Sequence, residues 1–349
     1  MKIIRITAIV VIVFCFCLPC AYARETEVGI KMIPSRPDPE AGPTHVEVGI
    51  WILDIDNIDS VSQNFAANVF IILKWKDSRL AHGFNDLKRF SLHDIWNPQM
   101  QIANESGIIR KTLPDIVNVE GDGTVTYRQR YVGPFSQPMM LTDFPFDTHV
   151  FGIHLVCIGS LPSEIQFAPV SDFVATGLVD AAGFAEKLSL PDWHVIDHNV
   201  KSFPYVVAPR KEIAGYHFEF TAKRDSKHFI FKVIFPLILI VMMSWMVFWI
   251  DPKNFGTQIS VAITSMLTLI AYRFAVDALI PKVPYMTRLD TFIFASTILV
   301  FLSLIEVNIT GQLSLDGKNA LAKKLDRVSR IIFPLAFVIS VILTLGLIF

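Results

Sequence analysis

The sequence predicts a β-sandwich domain followed by four membrane-spanning helices. Of the 349 residues, 52% are hydrophobic, and the mean hydropathy of +0.47 is too high for an ordinary soluble enzyme. Up to about residue 227, short runs that alternate apolar and polar residues are separated by turn sequences such as "VEGDGTV". Beyond this point lie four apolar runs, each near the roughly 20 residues that a helix needs to cross the hydrocarbon core.

Residues 1–23 predict a cleavable secretory signal. A basic start precedes the apolar run 6–18, and the segment 21–23 has the small residues of a cleavage site. The mature chain would then begin near Arg24, outside the cytoplasm. A lipoprotein site at Cys20 is an alternative, but a proline stands just before it, where a small residue is expected.

The segment 24–227 is predicted to be an extracellular β-sandwich that binds a ligand. Runs such as "HVEVGIWILDI", "ANVFIILKW" and "YHFEFTAKR" have the period of two that is typical of a half-buried strand. About ten such runs at this spacing indicate an antiparallel sandwich. No run of helical period of comparable strength interrupts them.

The segment 228–349 is the predicted membrane domain. Its four helices are expected at 229–250, 258–280, 289–313 and 328–349. The segment "DGKNALAKKLDRVSR", before the fourth helix, has an excess of basic residues, which favours the cytoplasmic side. The cytoplasmic links are too short to hold a kinase, a cyclase or another output domain. The output is therefore expected within the membrane, as in a gated pore.

The second span carries more polar residues than a lipid-facing helix tolerates. At alternating steps of four and three, one face changes from hydroxyl-bearing at the cytoplasmic end to apolar above. We expect this face to line a pore with Ser260, Thr264, Leu267, Ala271, Phe274 and Ala278, and with Asp277 near the outer mouth. Rings of Leu267 and Phe274 around a symmetry axis would form a gate by excluding water. The alternative is a buried helix in an ordinary bundle, whose hydroxyl groups bond to the backbone or to neighbours.

Several other classes are excluded by the composition. Three of the four cysteines belong to the signal, so the mature chain keeps only Cys157 and forms neither an intrachain disulfide nor a thiolate metal cluster. The net charge of -1 gives no indication of nucleic-acid binding. The motifs HExxH, GxSxG and the P-loop are absent, and His149 and His154 point to opposite faces of one strand. We therefore expect no enzymatic activity, no metal and no cofactor.

Six short motifs together resemble those of one known family. They are "KWKDSRL", "IWNP", "FPFD", "SWMVFWID", "LIPKVPYMT" and "LIEVNI". In their order and spacing the chain resembles the pentameric ligand-gated ion channels of the Cys-loop receptor superfamily, most closely the bacterial members without a large cytoplasmic domain. The resemblance implies a symmetric homopentamer around a central pore, in the bacterial inner membrane, with the N-terminal domain in the periplasm. The implied partners are membrane lipids, inorganic ions and an unidentified small-molecule agonist.

The resemblance also implies how the two domains communicate. In the family, the Phe-Pro-Phe-Asp loop at the foot of the sandwich contacts the membrane domain near the link between the second and third spans. The implied coupling residues are Asp59, Phe144, Pro145, Phe146, Asp147, Arg224, Pro281 and Lys282. Asp59, an acid in a loop of the sandwich, is expected to contact the basic Arg224. The cysteines that flank the Phe-Pro-Phe-Asp loop in animal receptors are Gln137 and Phe151 here.

The implied agonist site lies between subunits, where the family usually has an aromatic cage suited to an amine. The corresponding residues here are Phe70, Ala103, Ile158, Tyr205, Arg210 and Ile213. Only two of them are aromatic, which favours an apolar or anionic ligand over an amine. Gating by acid is the second option, because eight of the nine histidines lie in the extracellular segment 24–227 and the ninth, His228, follows it directly. Against it, Gln63 and Leu269 replace titratable residues of acid-gated members.

Cation selectivity is favoured by the overall resemblance to cation channels. Asp251 and Asp277, near the two ends of the pore helix, would attract cations, whereas Lys253 and Arg273 would oppose them. The acid that is usual at the cytoplasmic end of cation channels is replaced by the sequence "FGT", and the Pro-Ala insertion usual in anion channels is absent. An anion-selective channel and a membrane receptor that does not conduct are the alternatives.

Overall fold

The computed structural model describes residues 35–83, 86–171, 180–278, 280 and 282–346. The expected secretory signal at 1–23 lies outside the described residues, and so does Pro281. In the described part of the chain, fourteen strands precede four long helices.

The strands form an eight-stranded sheet, a four-stranded sheet and a two-stranded hairpin. They are β1 (Thr44–Asp59), β2 (Asn64–Lys76), β3 (Lys88–Ser91), β4 (Met100–Ile102), β5 (Arg110–Lys111), β6 (Ile116–Val119), β7 (Thr124–Ser136), β8 (Thr148–Cys157), β9 (Ile165–Pro169), β10 (Ala182–Phe184), β11 (Trp193–Ser202), β12 (Tyr205–Ala208), β13 (Lys211–Ile213) and β14 (Gly215–Arg224). The first sheet has the order β10-β1-β2-β7-β6-β3, with β5 on β7 and β9 on β1, and the second has the order β11-β14-β8-β4.

The two larger sheets enclose an aromatic core. Phe65 of β2 contacts Phe151 of β8 and Phe220 of β14 edge to face, with centroids 5.5 and 5.7 Å apart. These rings are at most 1% exposed. Over much of β1 and β2, alternate residues are buried in this core, which is the burial pattern that a period of two produces in a sandwich.

The long strand pairs are antiparallel, as expected, but the pairing at one edge is parallel. The short strands β9 and β10 both pair with β1 in parallel. Neither is joined to β1 by a hairpin, so no tight turn sets its direction. The sandwich is therefore mixed along β1 and antiparallel elsewhere.

The helices are α1 (Lys227–Trp249), α2 (Phe255–Asp277), α3 (Arg288–Leu315) and α4 (Asn319–Leu345). All four are long and apolar enough to cross a membrane. Helix α4 begins well before the expected residue 328. The basic segment before its apolar run is itself helical, as its Ala, Leu, Lys and Arg residues favour.

Helix α1 is irregular near the outer surface. The hydrogen-bonding pattern widens into a π-helical turn over Ile230–Ile234, which ends two residues before Pro236. Proline has no N–H group and its ring crowds the carbonyl four residues before it, so an α-helix cannot run through this point undisturbed. Helix α1 therefore changes geometry just below the foot of the sandwich.

Two hydrogen bonds fix α2 against α1. The hydroxyl of Tyr272 donates to the backbone carbonyl of Val233 at 2.5 Å. The side-chain amide of Gln258 donates to the carbonyl of Ile250 at 3.0 Å, beyond the end of α1, where helical partners are missing. These contacts determine which face of α2 turns away from the bundle.

Candidate pore, coupling region and ligand site

One face of α2 is exposed in the single chain. The residues predicted to line a pore are all exposed; Ser260, Thr264, Leu267, Ala271, Phe274 and Asp277 lie on α2, and Ala278 follows its last residue. The side of α2 that packs against its neighbours has Gln258, Ala262, Ser265, Leu269 and Val276 buried. Leu267 is 61% exposed and Phe274 is 78% exposed. Apolar side chains of this size on one face indicate a surface that contacts lipid, another subunit or a narrow passage.

The hydroxyl groups of this face bond along their own helix. Ser260 donates to the carbonyl of Gly256 and Thr264 donates to the carbonyl of Ser260, both at 2.7 Å. An ordinary bundle would also contain such bonds, but it would bury these side chains, whereas both are exposed. Each hydroxyl oxygen keeps lone pairs that can accept hydrogen bonds from water.

The carboxylates near the two ends of α2 each have a cation beside them. Lys282 Nζ lies 3.5 Å from Asp277 Oδ2, and both side chains are largely exposed. Lys323 Nζ of α4 lies 2.8 Å from Asp251 Oδ2. Exposed pairs of this kind are weak and mobile. The charges at both ends of the helix are therefore mixed in sign.

The foot of the sandwich contains a buried ion pair. Arg224, the last residue of β14, donates from Nε to Asp147 Oδ1 at 2.8 Å and from Nη2 to Asp147 Oδ2 at 3.0 Å. The same Nη2 donates to the hydroxyl of Ser60 at 2.8 Å. His149 Nε2 lies 2.8 Å from Asp147 Oδ2. A bidentate contact between an arginine and a carboxylate fixes the relative orientation of the two groups as well as pairing their charges.

The pKa of Asp147 results from opposing effects. Burial is the largest of them and raises the pKa, but the hydrogen bonds from His149 and Arg224 together outweigh it, and the pKa falls to about 2. Asp147 is therefore ionised at neutral pH.

Aromatic rings enclose the guanidinium of Arg224. Its Cζ lies 4.2 Å from the ring centroid of Trp193 and 5.0 Å from that of Phe144. Phe144 also contacts Phe229 of α1 edge to face, with centroids 4.7 Å apart. In the same loop Pro145 is buried and Phe146 is half-buried. The Phe-Pro-Phe-Asp loop thus joins the last sandwich strand to the first helix.

The same loop contacts the link before α3. The hydroxyl of Tyr285 accepts a hydrogen bond from the backbone N–H of Leu141 at 2.9 Å. The backbone N–H of Arg288 donates to the carbonyl of Thr142 at 2.9 Å, and its Nε donates to Asp143 Oδ1 at 2.7 Å. The first N–H groups of a helix have no partner within it, and the loop satisfies two of them, those of Arg288 and Leu289.

Two of the expected coupling residues lie apart from Arg224. Asp59 Oδ1 accepts hydrogen bonds from the backbone of Val61 and Ser62, at 2.9 and 3.0 Å, within its own turn. Lys282, in the link after α2, pairs with Asp277 at the end of that helix. The acid that meets Arg224 is therefore Asp147, and the turn at Asp59 contributes its neighbour Ser60.

The predicted ligand residues fall on both sheets and the hairpin. Tyr205 and Ile213 are cross-strand partners in the β12-β13 hairpin, with Arg210 at its turn in the left-handed region (φ 65). Ile158 is exposed just after β8, and Ala103 follows β4. Phe70 lies on β2 of the eight-stranded sheet, packed beside a separate small apolar cluster. The hairpin residues are thus together, while Phe70 comes from the other sheet.

Comparison with known proteins agrees with this geometry. The sequence model of the neurotransmitter-gated ion-channel ligand binding domain matches residues 32–180, and that of the neurotransmitter-gated ion-channel transmembrane region matches residues 233–319. The chain belongs to the pentameric ligand-gated ion channels of the Cys-loop superfamily. It is accordingly a multi-pass membrane protein of a family whose members are ion channels and not enzymes.

Two relatives in this channel family differ in the stimulus that their names give. A proton-gated ion channel of Gloeobacter violaceus is 26% identical over 332 residues, which is 92% of this chain and 88% of the relative. The gamma-aminobutyric acid receptor subunit beta-4 of Gallus gallus is 26% identical over 308 residues, 84% of this chain. The match spans only 61% of the length of the chicken subunit.

The channel holds its Phe-Pro-Phe-Asp loop without the cysteines that name the superfamily. At the first cysteine position, Gln137 Oε1 accepts a hydrogen bond from the backbone N–H of Gly152 at 2.9 Å. At the second, Phe151 stacks on Phe220 with centroids 5.1 Å apart. Gln63, which replaces an acid of acid-gated members, binds the backbone N–H of Met139 at the start of the loop. Hydrogen bonds and ring packing therefore anchor both ends of the loop.

Sequence reasoning missed the residues that receive the loop. Tyr285 lies inside the quoted motif "LIPKVPYMT", and Arg288 follows it by one residue, so proximity to the motif was an available signal. Trp193, which contacts Arg224, begins a strand whose pattern gave no such signal.

Proposed function

We propose that the chain forms a homopentamer whose five α2 helices line a cation-conducting pore, opened by a ligand that binds outside the membrane. The observation that carries the proposal is the split of α2 into one buried face and one exposed face with Ser260 and Thr264 below Leu267 and Phe274. When five copies surround one axis, their exposed faces all border the same narrow central passage. In this arrangement the hydroxyl rings hydrate the lower pore, and Leu267 and Phe274 form the gate.

The ligand site in this proposal lies between adjacent sandwiches, under the β12-β13 hairpin. Tyr205, Arg210 and Ile213 would come from one subunit with Ala103 and Ile158, and Phe70 would come from the next. Arg210 is exposed at the hairpin turn, which supports an anionic group in the ligand. The two relatives are named for a proton and for an amino acid, so both stimuli remain to be tested.

The signal in this proposal passes through the foot of the sandwich. Ligand binding favours one packing of the Phe-Pro-Phe-Asp loop, and the loop moves the link that begins α3. Support comes from the short contacts that join this loop to Arg224, to α1 and to Tyr285. Displacement of the link, which includes Pro281 and Lys282, then tilts α2 and widens the apolar rings.

Cation selectivity rests on the carboxylates near the pore ends. Asp277 is largely exposed, and the Nζ atom of its partner Lys282 lies 3.5 Å from its Oδ2 atom, which is a loose ion pair. Asp251 pairs more closely with Lys323, so the inner end contributes less negative charge. An anion channel would instead use Arg273, which is exposed on α2, or the inner lysines.

Reversal potentials test the proposal directly. The full chain is purified, its pentameric mass is checked by native mass spectrometry, and currents are recorded from liposomes in a sodium chloride gradient during a screen of protons, carboxylates and amines. A reversal near the sodium potential supports a cation channel, whereas a reversal near the chloride potential supports the anion alternative. Absence of current under every stimulus, with the pentamer intact, would favour a receptor that does not conduct.

The orientation has its own test. We propose that the sandwich faces the periplasm from the bacterial inner membrane. Protease added to spheroplasts should then remove the sandwich and spare the helices, while protease added outside inverted vesicles, which enclose the periplasmic side, should spare the sandwich.

A further inference from the structure

Two histidines lie side by side on the outer face of the four-stranded sheet. His154 of β8 and His217 of β14 are directly opposite in the antiparallel register, and their Nδ1 atoms are 2.5 Å apart. The neighbours of His217 along the strand, Tyr216 and Phe218, are fully buried in the sandwich core. Because side chains alternate along a strand, the two imidazoles face away from that core.

The segment that leads into the β12-β13 hairpin covers this pair. The ring of Phe203 stacks on His217 with centroids 3.8 Å apart and planes 4° apart, and Tyr205 stands 6.0 Å away. A Cβ atom at Gly215 would lie 2.8 Å from the carbonyl oxygen of Phe203. Only a glycine allows this approach. The cover is therefore close enough to leave His217 2% exposed.

The contact between the two imidazoles depends on their charge. When both are neutral, one Nδ1–H donates and the other Nδ1 accepts. When both are protonated, both Nδ1 atoms carry hydrogen and the contact becomes a repulsion between two donors and two cations. His217 Nε2 is buried without a partner, so in the protonated ring its N–H is a donor for which nothing nearby accepts.

The charged groups around the pair act in opposite directions. Glu219 follows His217 on the same face of β14, and Lys201 of β11 binds it with Nζ 2.7 Å from Oε2. Glu219 favours the charged imidazoles, and Lys201 disfavours the charged form of His217. Burial is the strongest effect on both histidines: it lowers the pKa of His154, and with repulsion from His154 it lowers the pKa of His217 to about 4.

We propose that His154 and His217 form a proton-binding latch that holds the segment 203–213 against the outer sheet and releases it on acidification. The inference that this release regulates the channel rests on the proposed function, since Tyr205, Arg210 and Ile213 of this segment belong to the proposed ligand site. The latch itself depends only on the packing described above.

The sign and size of the effect follow from linkage. A histidine with a lowered pKa binds fewer protons in the closed form, so the closed form loses stability as pH falls below the ordinary value of 6.5. With a pKa of about 4 when closed and 6.5 when released, His217 alone favours release about 30-fold more at about pH 5 than at about pH 7.5. Below about pH 4 the gain levels off.

Hydrogen-deuterium exchange of the purified full chain in detergent tests the latch without any current. Peptides covering 203–214 are compared at about pH 7.5 and about pH 5, with the intrinsic exchange rate corrected at each pH. The wild type should exchange about 30-fold faster at the lower pH. His217→Phe keeps the stacking on Phe203 but cannot be charged, and His154→Gln removes the second cation, so both should reduce this increase.

The matched control is His45→Gln, which removes an exposed histidine from β1 of the other sheet and should leave the increase unchanged. If His217→Phe fails to fold, His154→Gln still decides the result. Equal corrected exchange at both pH values in the wild type, or an unchanged increase in both variants, overturns the latch. Failure of the proposed channel would appear separately, as absence of current in liposomes.

Discussion

Arg224 binds both carboxylate oxygens of Asp147, at 2.8 and 3.0 Å, where the sandwich meets the membrane helices. Both side chains are buried, at 8% and 2% exposure. A buried charge without its partner is costly, so the pair constrains how the loop sits on the last strand. It also determines where Phe144, in the same loop, can reach α1.

Removal of one partner should destabilise the protein strongly. Arg224→Ala leaves Asp147 buried without its cation and with only His149 beside it, for an expected loss of about 3–5 kcal/mol. Arg224→Lys should recover only part of this, because a single ammonium cannot bind both oxygens in the same plane. Thermal unfolding of the detergent-solubilised protein, followed by tryptophan fluorescence, measures the loss.

The pair Arg288 and Asp143 supplies the matched control for that experiment. It joins the same loop to α3 at 2.7 Å, but its side chains are 41% and 55% exposed. Asp143→Asn should therefore cost at most about 1 kcal/mol. Equal losses of stability for Asp143→Asn and Arg224→Ala would contradict the claim that burial makes the Arg224 pair contribute more to stability.

The stability that Asp147 contributes should disappear in acid. Its pKa is lowered from 3.8 to about 2, so the folded state binds fewer protons than the unfolded state in this range. The contribution is complete above about pH 4 and is lost as pH falls towards 2. The difference in unfolding temperature between wild type and Asp147→Asn should narrow over this window. A constant difference from about pH 6 to about pH 2 would count against the lowered pKa.

Local periodicity predicted the parts of this molecule that depend on local geometry. The exposed face of α2 followed from the helical repeat, because positions three and four apart must share a side. Periodicity could not predict the partner of Arg224, because this partner depends on which nearby carboxylate has oxygens that are not already hydrogen-bonded elsewhere. Asp59 was expected there, but its carboxylate is engaged by the N–H groups of Val61 and Ser62, a common habit of aspartate in turns.

Long-range packing determines the features that the sequence did not indicate. The parallel pairing of β9 and β10 with β1 depends on chain paths rather than on hairpins. The stacking of Phe203 on His217 requires the close approach at Gly215, which a strand pattern does not reveal. The contact of Tyr285 with Leu141 joins residues 144 positions apart, which neither strand nor helix periodicity connects.

The gate assignment predicts that Leu267→Ser produces leak. A hydroxyl in place of the exposed leucine hydrates the apolar ring and lowers the barrier to ions. Liposome flux without any ligand should rise above that of wild type. Leu269→Ser is the control, because Leu269 is 1% exposed on the opposite face, and this change should destabilise the helix bundle without leak. Leak from Leu269→Ser and none from Leu267→Ser would show that the pore is lined by the opposite face of α2 and that the gate assignment is wrong.

Tyr285 should transmit the movement of the loop through a single hydroxyl. Tyr285→Phe leaves the ring in place and removes the acceptor for the backbone N–H of Leu141, at a cost of about 1 kcal/mol. In the leaky Leu267→Ser background, the open probability should change while the single-channel conductance stays the same, because Tyr285 lies outside the pore face. Tyr272→Phe removes a comparable hydrogen bond between α1 and α2, away from the loop. Single-channel recording that found the same change in open probability for both variants would show that the loop contact has no special role in coupling.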